Sequence, residues 1–338
     1  MKLWFNKTFS TISSVIYQLR QAIPISELTI VATHVHSSAV VFLAADEHYL
    51  EPESLAGEQY LHWCIQFCIE HQITVFWPGK EAALISAHHA LFQEIGVKVF
   101  LVAESETLTL LHDKAEFYRS LPAPIAKIMD VYAVNDSEQF TKACALLYAK
   151  HPVLCVKPAV SVFGLGFRIL DTQETSVTHI VKGTEYRLPL QELQLGLATT
   201  PTFATLLVME YLPGPEWSVD CVGQNGHLLC AVQRKKSPQP GHGQQIDNND
   251  EITLMVTQLT AHYRLNGLFN IQFKASAEGP RCLEINPRPS GGVGMACLAG
   301  VNLPYLAWQV GLGRTVEIPA IHYGLKVTEE KRAVMLPD

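Results

Sequence analysis

Between residues 28 and 112 the chain alternates short β-rich runs with helical stretches, and that alternation leaves few folds open. Leu28 to Ala32 is a compact apolar run. Glu58 to Glu70 places Leu61, Ile65, Phe67 and Cys68 at helical spacing, and Ile73 to Phe76 reads as a strand ended by Pro78. Lys80 to Glu94 is helical again, with Gly96 as its stop before the strand Val97 to Leu101. A β–α–β–α–β order predicts a small parallel sheet covered by helices. No Gly-x-Gly-x-x-Gly follows the first run, which disfavours a dinucleotide site.

Past His112 the texture changes. Asp113 to Leu121 reads as a helix with Asp113 at its N-terminus, and Pro122 and Pro124 mark a linker. A helix over Ser137 to Lys150 and a strand over Val153 to Lys157, stopped by Pro158, come next. Helical segments at about 173–183 and 189–198 lead to the strand Leu206 to Glu210. The strands 216–222 and 227–233 flank Gln224-Asn225-Gly226, a sequence suited to a tight hairpin. Ser237 to Asp250, with Pro238, Pro240, Gly241 and Gly243, reads as a polar loop. A helix over about 251–264 precedes strands at 267–274 and 281–286.

Bulk properties exclude several classes of function. Hydrophobic residues make up 48% of the 338 and charged residues 17%, enough apolar material for a sizeable core. The net charge is −7 and the longest basic run is Arg234-Lys235-Lys236, so no face suits a nucleic-acid backbone. No apolar stretch approaches the roughly 18–20 residues of a membrane span. Met1 to Arg20 interrupts its apolar residues with Lys2, Asn6, Lys7 and Gln18 and does not read as a signal peptide. The eight cysteines form no Cys-x-x-Cys pair and mostly sit in apolar runs, as reduced core thiols of a cytoplasmic protein do.

Three segments can carry chemistry. In Cys282-Leu283-Glu284-Ile285-Asn286-Pro287-Arg288, Glu284 and Asn286 are two apart on a strand and share a face. Gln272, between Ile271 and Phe273 one strand earlier, can join them in a hairpin. One carboxylate and two amide oxygens suit Mg²⁺, a hard cation that shares its shell with phosphates and water, and Arg288 can steady a phosphoryl group. From spacing alone a solvent-facing strand explains these residues equally well. Lys157 at the mouth of a strand, before Gly164-Leu165-Gly166-Phe167-Arg168, can hold phosphate oxygens, although a snorkelling lysine is the commoner explanation. Glu210-Tyr211-Leu212-Pro213-Gly214-Pro215-Glu216 is a stiff hinge whose backbone can read an adenine edge and whose Glu216 can accept from ribose hydroxyls; a plain turn is the alternative. Gly292-Val293-Gly294 looks like a dinucleotide fingerprint, but the Asn-Pro-Arg-Pro segment before it spoils the strand-to-helix turn.

In this order the segments resemble the ATP-grasp superfamily, in particular its carboxylate–amine ligase and carbamoyl-phosphate-synthase-like branch, over roughly residues 28 to 315. The resemblance implies a mixed α/β and α+β chain. A Rossmann-like pre-ATP-grasp lobe at 1–112 would precede a two-lobed ATP-grasp domain at 113–315, whose small mobile lobe covers about 122–205, with a tail at 316–338. It implies Lys114, Lys157, Gly164, Gly166, Arg168, Glu210, Tyr211, Leu212 and Glu216 for ATP, and Gln272, Glu284 and Asn286 for Mg²⁺ or, in its place, Mn²⁺. Arg288 and Arg234 would be catalytic, with His242 a further contact. The implied reaction is ADP-forming ligation of a small-molecule carboxylate to an amine through an acylphosphate, in a chain that allows a homodimer and binds neither nucleic acid nor membrane. A non-catalytic ATP-binding module and a kinase of a small carboxylate are the alternatives. Val162, Phe163 and Leu165 make the phosphate-covering loop bulkier than the family pattern. About 25 residues follow Gly313, leaving no large extra C-terminal domain of the biotin-carboxylase kind. Asp46 and the Ser37-Ser38 pair are candidate polar groups near an acceptor.

Overall fold

A computed structural model describes the chain except for Thr8, Ser10, Pro124, Val162, Phe163, Glu185 and residues 238–241, 331–332 and 336–338. Pro124 of the expected linker, Val162 and Phe163 of the phosphate loop, and Pro238, Pro240 and Gly241 of the polar loop therefore lie outside the described residues. Contacts divide the chain into two units. The first comprises Met1–Leu111, Pro215–Phe273 and Glu284–Asp338; the second comprises His112–Gly214 and Lys274–Leu283.

The first unit opens with β1 (Lys2–Phe5), α1 (Ile12–Ala22), β2 (Thr29–His34), β3 (Glu47–Leu50), α2 (Gly57–Glu70) and β4 (Val75–Trp77). Then come α3 (Ala82–Ala87), α4 (His89–Glu94), β5 (Lys98–Val99) and α5 (Ser105–His112). The five strands form a parallel sheet in the order β3-β2-β1-β4-β5. Its central strand β1 is absent from the sequence reading, because Lys-Leu-Trp-Phe is a short apolar run without alternation, as a strand covered on both faces can be. The helix expected over 80–94 is two helices broken at His88. One face of the sheet packs Trp4 and Phe76, stacked 4.2 Å apart, against Tyr60, Cys64 and Phe67 of α2. The other face buries Leu3, Phe5 and Ile30.

The second unit contains α6 (Lys114–Ser120), β6 (Val131–Val134), α7 (Ser137–Tyr148), β7 (Leu154–Pro158) and β8 (Arg168–Asp171). It continues with α8 (Ser176–Lys182), β9 (Arg187–Pro189), α9 (Leu190–Ala198) and β10 (Leu206–Glu210). Asp113 caps α6, accepting from the N–H groups of Ala115 and Glu116 as its residue type predicts. The sheet order is β6-β10-β7-β8-β9, with β10 antiparallel to both neighbours. Phe140, Cys144 and Leu147 of α7 cover Leu154, Val156 and Val208.

Returning to the first unit, β11 (Glu216–Gln224) and β12 (His227–Lys236) form the expected hairpin. Asn225 and Gly226 have φ of 51° and 79°, the left-handed pair a tight two-residue turn needs. Next are β13 (Gln244–Asp247), α10 (Asp250–His262), β14 (Gly267–Ser276) and β15 (Gly279–Asn286), then α11 (Val293–Cys297), α12 (Leu303–Gly311) and β16 (Lys326–Val327). The sheet order is β15-β14-β11-β12-β13-β16. The expected loop at 237–250 thus contains a strand. In Gln-Gln-Ile-Asp only Ile246 is fully buried, so its pattern is polar except at one position. Val222, Val232, Ile246 and the apolar faces of α11 and α12 share one core with Leu3, Phe5 and α1. Among the described residues no helix is long and apolar enough to cross a membrane, and all eight cysteines are unpaired.

Candidate active site

In the first unit β15 delivers Glu284 and Asn286, and the chain bends at Pro287 and Arg288 directly after it. Ile285 between them is 2% exposed, which turns the two polar side chains to the half-buried face. Leu283, on the same side of the strand as Ile285, is half-buried. Asn286 Nδ2 donates to Glu284 Oε1 at 3.0 Å, and Arg288 Nη2 reaches Asn286 Oδ1 at 3.4 Å. The Arg288 N–H bonds to the Asn286 carbonyl at 2.7 Å and its guanidinium lies 4.7 Å from the centre of the Phe9 ring. Burial pulls the Arg288 guanidinium below its usual range, and the nearby Glu284 charge opposes that pull. Gln272 lies on the adjacent strand β14, half-buried between the fully buried Ile271 and Phe273. One ionisable carboxylate with two amide oxygens is a donor set suited to a hard divalent cation that completes its shell with phosphate and water.

Arg234 occupies a different setting. It is 2% exposed, and Nε donates to Asp220 Oδ2 at 2.8 Å inside the sheet. Nη2 donates to Ser218 Oγ at 3.0 Å and Ser290 Oγ at 2.9 Å, and Nη1 bonds Gln244 Oε1. Asp220, which is fully buried, also accepts from Asn270 Nδ2 at 3.2 Å. The guanidinium so ties β11, β12 and β13 to the turn that follows Arg288. Gly292 in that turn has no room for a side chain, since a Cβ would stand 2.4 Å from Arg234 Nη1. The pairing of Asp220 and Ser290 with Arg234 is one that sequence reasoning missed; each is separated from Arg234 by more than ten residues. Glu216 pairs with Lys236 across the hairpin. His242 is exposed.

The second unit gathers the two lysines. Lys114, the first residue of α6, is 8% exposed, and its Nζ donates to the Ser161 carbonyl at 2.8 Å. Its backbone N–H bonds the Ala159 carbonyl at 3.0 Å, joining α6 to the end of β7. Lys157 Nζ donates to Tyr118 Oη at 3.1 Å and lies 5.4 Å from that ring's centre. Tyr118 in turn donates to the Leu283 carbonyl at 2.6 Å. Tyr118 and Ser161 are therefore partners of the two lysines that no sequence signal marked. Gly164 and Gly166 have φ of 69° and 82°, and a Cβ on Gly166 would meet the Pro158 ring at 2.7 Å. Arg168 is exposed and donates to the Phe167 carbonyl at 2.7 Å.

At the hinge, Glu210 Oε1 accepts from the Asp130 N–H at 3.2 Å and Oε2 faces His151 Nδ1 at 3.4 Å. The Tyr211 N–H bonds the Val153 carbonyl at 3.0 Å, continuing the sheet by one residue. Gly214 is close-packed, for a Cβ there would lie 2.8 Å from the Ala275 carbonyl. The hydrogen bonds from His151 and Lys150 hold the Asp130 carboxyl below the usual carboxylate range.

The chain is similar to known proteins in sequence and in fold. Residues 202–333 match the family described as "ATP-grasp in the biosynthetic pathway with Ter operon". The chain is 23% identical to the carbamoyl phosphate synthase large chain of Clostridium acetobutylicum over 258 residues, 72% of this chain and 22% of that one. It is 31% identical to carnosine synthase 1 of Mus musculus over 136 residues, 34% of this chain. It spans only 22% and 16% of the lengths of these two relatives. Its fold matches the biotin carboxylase domain of Hydrogenobacter thermophilus 2-oxoglutarate carboxylase, solved as a dimer with MgADP, ADP and bicarbonate. The TM-score is 0.68 at 14% identity, covering 95% of this chain and 72% of that one. The sheet order and the structural match give the chain an ATP-grasp fold, and its residues 202–333, which include the strand carrying Glu284 and Asn286, resemble an ATP-grasp family.

Proposed function

We propose that this chain is an ATP-dependent ligase that activates a carboxylate as an acylphosphate and joins it to an amine, releasing ADP and phosphate. The observation that carries the reading is the contiguous set Glu284, Asn286 and Arg288, in which a carboxylate, an amide and a half-buried guanidinium hydrogen-bond in sequence. A site for nucleotide binding alone has no need of a guanidinium beside its metal ligands.

Lys114 and Lys157 hold α- and β-phosphate oxygens, each aimed by its present partner, Ser161 or Tyr118. Gly164, Gly166 and Arg168 supply backbone N–H groups and a charge over the phosphates. Glu210, Tyr211 and Leu212 form the adenine edge, and Glu216 accepts from the ribose. Glu284, Asn286 and Gln272 hold Mg²⁺, with Mn²⁺ a chemical substitute; bound there, the ion neutralises charge on the phosphates. A substrate carboxylate oxygen bonds to the γ-phosphorus as the bond to ADP breaks, with Arg288 donating to the oxygens that gain charge. The amine nitrogen then bonds to the acyl carbon, phosphate leaves with the electron pair, and the nitrogen loses a proton. Arg234 acts through Ser290 to fix the turn beyond Arg288 rather than by touching substrate.

The chain works on small molecules in the cytoplasm, where eight unpaired thiols stay reduced. A homodimer is the assembly to test, as the Hydrogenobacter domain is one. The decisive assay screens paired acids and amines for ADP release with Mg²⁺. Glu284→Gln lowers the rate by roughly a hundredfold or more, with the circular dichroism spectrum unchanged; full activity in this variant refutes the metal assignment. Hydroxylamine trapping of an acyl group distinguishes ligation from a kinase that releases its phosphorylated acid. ATP binding with no turnover for any pair would leave a binding module.

A further inference from the structure

The helix α8 has one buried side chain, and that side chain is polar. Val177, Ile180 and Val181 are exposed, while His179 is 4% exposed. A surface helix is normally fastened by an apolar stripe, and a helix of seven residues has no stability of its own in water. Ser176 bonds Glu192 of α9, but at the surface. The attachment of α8 therefore runs through the imidazole. Yet neither Nδ1 nor Nε2 of His179 has a hydrogen-bond partner among the described residues. Buried polar atoms are normally satisfied, so two bare nitrogens on one ring indicate a partner that arrives from outside.

Two carboxylates face that ring at a distance hydrogen bonds do not explain. Nε2 lies 3.5 Å from Asp171 Oδ2, at the end of β8, and Nδ1 lies 3.6 Å from Glu174 Oε2, in the turn that leads to α8. An imidazolium that bonds a carboxylate closes to about 2.7–2.9 Å. Ligand atoms about 2.1 Å from a tetrahedral ion stand about 3.4 Å apart instead. Three such atoms, one each from Asp171, Glu174 and His179, lie within 4.8 Å of one another. Other bonds fix both acids in place. Asp171 Oδ1 accepts from the Gln173 and Glu174 N–H groups at 2.8 and 3.1 Å, and Glu174 Oε1 accepts from Lys182 Nζ. Arg187 Nη1 stands 3.3 Å from Asp171 Oδ2, but its side chain, like that of Lys182, is open to solvent and can swing out as a cation arrives. The Tyr148 hydroxyl is a further unsatisfied group, closed to water and without a partner among the described residues. Burial, first, and the charges of Cys144 and Asp171 push it up to about 12.

We propose that Asp171, Glu174 and His179 form a Zn²⁺ site that fastens α8 to the end of β8. One imidazole nitrogen with two carboxylate oxygens is a mixed set that this borderline ion accepts, whereas Mg²⁺ and Ca²⁺ ask for oxygen alone. Water completes the shell, and a metal-bound water can donate to Tyr148 Oη. All three ligands belong to the second unit. None of them is assigned to ATP or Mg²⁺ in the ligase reading, so this site stands or falls independently of it.

Zinc titration of the chelator-treated full chain, followed by calorimetry and by amide hydrogen exchange, tests this. One-site binding is expected, weakened at least tenfold in His179→Gln and in Asp171→Asn. It is retained in Glu284→Gln, which disables the oxygen set assigned to Mg²⁺. Asp171→Asn keeps the oxygen that the Gln173 and Glu174 N–H groups need, so the turn survives the loss of charge. With free Zn²⁺ at about a hundred times its Kd, exchange over residues 176–182 of the native chain slows about a hundredfold, a readout that needs no variant. Co²⁺ in place of zinc gives visible bands without the ultraviolet charge-transfer band of a thiolate ligand. Absence of one-site binding, native affinity in both ligand variants, protection that misses α8, or a thiolate band overturns the inference.

Discussion

Replacing Asp220 by Leu isolates the cost of the charge buried beside the active-site turn. In the native chain Arg234 is 2% exposed and Asp220 fully buried, with the Nε–Oδ2 bond at 2.8 Å. Removing the carboxylate leaves a guanidinium without its counter-ion where water cannot reach, a defect that costs about 3–5 kcal/mol. For a unit of this size each kcal/mol moves the melting midpoint by about 2–4 °C, so differential scanning calorimetry should show a fall of roughly 6–20 °C. The companion experiment adds Arg234→Met, which removes the stranded charge. That double variant gives up the bonds to Ser218, Ser290 and Gln244, each a contribution of about 1 kcal/mol. It should still recover at least about 1 kcal/mol over Asp220→Leu alone. A single variant that melts within about 2 °C of the native chain refutes the reasoning, as does a double variant that melts below the single one.

Gly292→Ala drives a methyl group to 2.4 Å from Arg234 Nη1, which is pinned by its other bonds, and should destabilise by about 1–3 kcal/mol in urea titrations; a neutral result means the turn moves freely. Glu216→Ala should raise the KM for ATP about tenfold with little change in kcat, and an unchanged KM removes Glu216 from the ribose. The Asp130 carboxyl titrates below its ordinary value because His151, first, and Lys150 donate to it. Its stabilising contribution is complete above the unfolded carboxyl pKa near pH 4 and is lost as pH falls through the lower folded value. His151→Ala should move the Asp130 titration, followed by carboxyl NMR, back toward the ordinary value, and no movement refutes the assignment. Burial pushes the Cys144 thiol up to about 11 and Cys68 and Cys155 to about 12. Ellman's reagent at pH 8 should therefore react slowly with the native chain and with all eight thiols once it is unfolded.

Local rules were legible where one residue decides the outcome. Asn225-Gly226 specified its turn because few residue pairs accept two left-handed conformations, and Asp113 specified its helix start. Glu284 and Asn286 could be assigned to one face because strand periodicity needs no tertiary information. The reading missed β1, whose residues acquire a strand's environment only between β2 and β4, and β13, whose polar residues are held by Arg234 and Trp217 through Gln244 and Asp247. The resemblance implied a catalytic role for Arg234. What the sequence could not disclose is that Asp220, Ser218 and Ser290 close around it. The Phe9 ring was equally silent, since an aromatic residue in a loop carries no sign of the guanidinium beside it.

The order in which the first unit is assembled from the chain bears on its synthesis. A ribosome completes all five strands of the parallel sheet by Val99, yet the face carrying Leu3, Phe5 and Ile30 shares its core with Val222, Val232 and Ile246 and with α11 and α12. That face therefore stays without its native cover until translation passes residue 310. The second unit faces a shorter wait of the same kind. Residues 112–214 emerge together, but the Lys127 carbonyl and the Tyr118 hydroxyl find their partners in Cys282 and Leu283 some seventy residues later. At about 5–20 residues per second this is several seconds of exposure, so the nascent chain is a natural client for a holdase, and no break near residue 214 would release two self-sufficient pieces.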